Sequence, residues 1–115
     1  MFRKYEITLN RVHDTINIRE GDELLTLSVS GDAMRMVAGL NKAQQKMKAL
    51  TDEATDDEVK ECAVYFASVI FGKEQAEKLL TFYNDDPGCV IAVCGQYFKE
   101  RLAEKIAKVQ RKAKV

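Results

Sequence analysis

The chain holds a single histidine, a single proline and three cysteines in 115 residues, and its 18 basic residues are balanced by 18 acidic ones. Nucleophilic catalysis needs a serine or cysteine held beside a base. The lone His13, between Val12 and Asp14 in a polar connection, reads instead as a surface-loop side chain. Cys62, Cys89 and Cys94 contain no CxxC pair and lie far from His13 in sequence, which excludes the usual zinc spacing. All three fall within apolar helical patterns and read as buried free thiols; a step of five puts Cys89 and Cys94 on different helix faces, so no disulfide is expected between them. Gly21, Gly31 and Gly39 form neither GxGxxG nor GxxxxGK, which argues against nucleotide chemistry. Zero net charge gives no global field for drawing in nucleic acid or an anionic membrane. No apolar run approaches bilayer length, and Met1 to Glu6 lacks the core of a secretion signal, so a cytoplasmic protein is expected. No catalytic, cofactor-binding or metal-ligating residue is assigned, and the chain reads as a protein that is not an enzyme.

What remains is the composition of one folded domain, 46% apolar and 31% charged, with too little proline and glycine for disorder. Its first 29 residues alternate with period two: Tyr5, Ile7 and Leu9, then Ile16 and Ile18, then Leu25, Leu27 and Val29. That spacing predicts short strands joined at Asn10 to Asp14 and at Arg19 to Glu23, where Gly21 can take positive φ. Such a unit cannot bury its apolar face alone and must pack on helices or another subunit.

From Ser30, a candidate N-cap, the period changes to that of a helix through Met34, Val37, Leu40, Met47 and Leu50. Its centre, Asn41 to Lys46, is polar, as expected of a helix that is largely exposed or meets a partner. Thr51 and Thr55 are successive cap candidates, and Thr55 with Glu58 fits a capping box. The acidic residues Asp52, Glu53, Asp56, Asp57 and Glu58 lack the spacing and internal glycine of a calcium loop and suit a helix start. A second helix carries Val59, Cys62, Ala63, Phe66, Val69, Ile70 and Phe71 and should end at Gly72. A third runs from about Lys73 to Tyr83. Asn84 and Asp85 form a turn, Asp86 caps and Pro87 opens a long fourth helix.

Along that helix Val90, Ile91, Val93, Cys94, Tyr97, Phe98, Leu102, Ile106 and Val109 make one apolar stripe, and Gly95 within it reads as a point of close helix packing. Its far end is basic. Lys105, Lys108, Arg111, Lys112 and Lys114 are candidate partner-binding residues, as are Met34 and Met47, since methionine adapts to varied surfaces. The basic tip could face the acidic start of the second helix, within a subunit or between subunits. Tyr97 and Phe98 fall on or beside the apolar stripe rather than on a base-stacking face, which argues against nucleic acid as the partner.

The FYNDDPG turn of residues 82–88, followed by CVIAVCGQYFKERLAEKIAKVQRKAK, resembles the C-terminal half of small tail-module proteins of siphophages and prophages of Gram-positive bacteria, tail assembly chaperones. The resemblance covers residues 62 to 114. It implies a non-enzymatic protein of the bacterial host cytoplasm, with no cofactor, that forms a homo-oligomer and holds the tape measure protein soluble until the tail tube assembles. A binding module using the basic helix on nucleic acid or in regulation, and a structural tail or head subunit, are the competing readings. The expected architecture is α+β: one domain, residues 1–115, with a β-rich part (1–29) forming an N-terminal antiparallel hairpin or three-stranded meander, then about four helices (30–115).

Overall fold

Period-two alternation becomes an antiparallel hairpin. A computed structural model describes the backbone of residues 11–113 and the side chains of residues 11–108; the strand expected around Tyr5, Ile7 and Leu9 lies outside the described residues. Strand β1 (Arg11–Glu20) pairs with β2 (Glu23–Asp32) from Arg11↔Asp32 to Glu20↔Glu23. The reversal falls at Gly21 and Asp22, with Gly21 at φ +62°, a conformation glycine adopts without steric cost.

Both strands outrun their apolar alternation. The polar connection expected up to Asp14 is strand from Arg11 onward, and His13 is an exposed strand residue opposite Ser30 rather than a loop residue. Ladder hydrogen bonds join backbones, so polar side chains do not end a strand where the partner continues. For the same reason Ser30 is not a cap. The strand continues to Asp32, whose Oδ1 accepts from the Met34 N–H at 2.9 Å and starts α1 (Ala33–Lys48).

The buried face of α1 is Ala33, Met36, Leu40 and Ala43, rotated from the expected stripe, and Met34 is 42% exposed. Beside that face, at Gly39, α1 crosses α2 closely. A Cβ added at Gly39 would stand 2.9 Å from both Cγ atoms of Val69. Helix α2 (Asp56–Phe71) starts at Thr55, whose Oγ1 accepts from the Glu58 N–H at 3.2 Å, with Asp56, Asp57 and Glu58 in its first turn. Gly72 ends it at φ +87° and α3 (Lys73–Phe82) follows directly.

Asn84 and Asp85 then take φ of +57° and +63°, conformations that asparagine and aspartate tolerate better than other side chains. Asp86 Oδ1 accepts from the Gly88 N–H at 2.9 Å, and Pro87 is the first residue of α4 (Pro87–Tyr97). A π-helical turn (Phe98–Leu102) joins α4 to α5 (Ala103–Ala113), making one long C-terminal rod. Buried residues along the rod are Val90, Cys94, Tyr97 and Leu102, in steps of four, three and five. The step of five coincides with the π turn, whose i→i+5 bonding adds a residue per turn and keeps Tyr97 and Leu102 on the buried side. Gly95 is not a packing point: a Cβ there would meet nothing within 4 Å.

The hairpin and four helices, counting the rod as one, form an α+β fold around a single apolar cluster among the described residues. Helix α2 is its hub, packed on α1, α3, α4 and β2; β2 also meets α1 and α3, whereas β1 packs chiefly on β2. No helix among the described residues is long and apolar enough to cross a membrane.

Candidate functional site

Two features flank the C-terminal rod. The first is polar. Inward positions of β1 are Val12, Asp14, Ile16 and Ile18, so alternation turns a carboxylate toward the body of the protein. Three donors from the rod meet it. Asp14 Oδ2 accepts from the Tyr97 hydroxyl at 2.7 Å and from Arg101 Nε at 3.1 Å, and Oδ1 accepts from Arg101 Nη2 at 2.9 Å. Arg101 lies in the π turn, four residues beyond Tyr97, so both side chains reach the same strand. The bidentate Arg101 contact, then the Tyr97 hydroxyl, hold the Asp14 carboxyl below the usual carboxylate range. Burial, reinforced by Asp14, pushes the Tyr97 phenol up, and burial alone pushes the Cys94 thiol up to about 12. With its carboxylate committed in this way, Asp14 ties β1 to the rod.

The second feature is an apolar groove of about 290 Å³ between α1, α2 and the end of the rod. Leu40 and Phe66 are buried beneath it, while Val37, Met47, Phe98 and Ile106 are half-buried around it. Asn41 and Gln44 give it a polar border. Every apolar member comes from a helical stripe that the core does not fully cover. Such a groove can receive apolar side chains presented at helical spacing.

The predicted partner-binding residues divide between these features and the open surface. Met47 lines the groove; Met34, at the start of α1, does not. Lys105 Nζ donates to the Arg11 carbonyl at 3.2 Å, and Lys108 pairs with Glu104 at 3.4 Å. Among the described residues neither reaches the acidic start of α2, so their expected pairing within the subunit is not made. Arg111 and Lys112 belong to the α5 backbone, and Lys114 lies outside the described residues. Cys62 and Cys94 are buried free thiols as expected. Cys89 is only half-buried, its Sγ donating to Asp86 Oδ2 at 3.4 Å; burial and that carboxylate raise its pKa.

Sequence reasoning missed Asp14 as an inward carboxylate and missed the pairing of Phe98 and Ile106 with α1. The alternation of Val12, Asp14, Ile16 and Ile18 held the first signal. The second depends on how the rod is laid against α1, which no local pattern encodes. In comparisons with protein families, curated proteins and solved structures, nothing matches this chain.

Proposed function

We propose that this protein is a non-enzymatic phage or prophage tail assembly chaperone that forms a homo-oligomer and binds the tape measure protein. One observation supports the reading beyond the resemblance of residues 62 to 114: the open apolar groove between α1, α2 and the rod. Apolar residues three and four apart on a partner helix would seat against Met47, Phe98 and Ile106 while its polar face stayed in water. Met47 adds an adaptable wall suited to a series of related but unequal helices.

The test is co-expression with the tape measure protein of the same genome, followed by size-exclusion chromatography with light scattering. Recovery of the partner in a soluble complex is the expected result. A partner that stays insoluble beside abundant soluble protein would remove the proposal. Met47→Lys, on the wall of the groove, should weaken the complex about tenfold, or about 1.4 kcal/mol, at a temperature where circular dichroism shows the free variant still folded.

A further inference from the structure

Each edge of the hairpin is met by one side chain, Gln75 at Ser28 on β2 and Lys105 at Arg11 on β1. On β2, the carboxamide of Gln75 takes the place of a neighbouring strand: its Oε1 accepts from the Ser28 N–H at 2.8 Å and its Nε2 donates to the Ser28 carbonyl at 2.7 Å. That edge is therefore covered at Ser28 by a side chain from α3. These bonds also fix the ladder. Both polar groups of Ser28 point away from β1, so Thr15↔Ser28 is a non-hydrogen-bonded pair and the outward groups of β1 belong to Arg11, His13, Thr15, Asn17 and Arg19. The Lys105 contact with the Arg11 carbonyl agrees with that parity. Among the described residues, no hydrogen bond reaches the outward groups of His13, Thr15, Asn17 or Arg19.

Beside this edge runs a cleft of about 470 Å³ lined by Asp14 through Ile18 on one wall and by Tyr83, Val93, Gln96, Tyr97, Glu100 and Arg101 on the other. A cavity that touches five successive residues of a strand touches its edge, because side chains on one face alone would alternate.

We propose that this cleft is a strand-addition site for an extended segment of a partner protein, with apolar side chains at alternate positions and acidic ones between them. The backbone of that segment pairs with Thr15 and Asn17. Its apolar side chains enter the cleft against Ile16, Ile18 and Val93. Its acidic side chains stand on the solvent face near Arg11 and Arg19, neither of which pairs with a carboxylate among the described residues. This inference does not rest on the chaperone reading.

Amide exchange of the full chain, read residue by residue by NMR, tests it. The probe is a blocked octapeptide alternating valine and glutamate; the controls are the same composition in block order and the alternating peptide N-methylated at every second nitrogen. At saturating alternating peptide, the Thr15 and Asn17 amides should exchange about tenfold or more slowly, with neither control protecting them. Asn17→Pro removes one outward N–H without touching a β1–β2 ladder bond and should abolish the protection, while the Ile16 and Ile18 amides report that the hairpin is intact. No protection with the alternating peptide, or equal protection with a control, would overturn the proposal. So would amides already protected in the free chain and released by deleting residues 1–10, which would assign the cleft to the protein's own N-terminal segment.

Discussion

Three donors converge on Asp14 because a carboxylate turned toward the protein body loses water that something must replace. Its pKa is depressed by Arg101 first and Tyr97 second, so folding favours the ionised form. The resulting stabilisation is fully present above the unfolded-state value of about 3.9 and is lost as pH falls through the lower folded value. Asp14→Asn should therefore be less stable than the parent at pH 7, and the gap should close in urea titrations carried progressively below about pH 4. A gap that stayed constant on acidification would mean that Asp14 acts through packing rather than charge.

Among the elements, the π turn invites the sharpest test. It holds one residue more than an α-helical turn would, and Glu100 is an exposed member of it. Deleting Glu100 should give a continuous α-helix in which Leu102 follows Tyr97 by four places and stays buried. Arg101 would then follow Tyr97 by three places and lose its approach to Asp14. Circular dichroism should show a folded protein with a midpoint lowered by about 4 to 8 °C, the equivalent of about 1 kcal/mol; global unfolding would show that the rod depends on the wider turn itself. Boundaries of elements were legible wherever a cap has local chemistry. Thr55, Gly72, Asp86 with Pro87, and Gly21 all do what their residue types suggest, because a cap or turn is decided within four or five residues. Ser30 misled because its strand is prolonged by a partner strand, and Gly95 misled because a glycine does not reveal whether anything lies opposite. The pairing of Asp14 with residues 83 and 87 positions away is a product of packing, and so is the groove.

At the scale of the molecule, the body measures 59 × 35 × 21 Å with a radius of gyration of 16.1 Å, against about 13 Å for a compact chain of this length. A thin slab keeps its core within a side chain's depth of solvent, and core truncations should therefore differ by position. Phe66 is buried beneath the groove and touches the central cluster, so Phe66→Ala should cost about 3 to 5 kcal/mol. Phe98, half-buried on the groove wall, should cost about 1 to 2 kcal/mol. Equal losses in denaturant titrations would show that the groove is closed in solution.

The spacing of two of the side-chain contacts that hold the hairpin also sets an order of events on the ribosome. Gln75 follows Ser28 by 47 residues, and Tyr97 follows Asp14 by 83. At ordinary synthesis rates the first partner arrives about 2 to 9 s after its strand and the second about 4 to 17 s after. Ser28 can be met by Gln75 while the rod is still being made, and Asp14 waits longer with its neighbours unmet. Through that interval the inward carboxylate of β1 is open to a factor acting on the nascent chain.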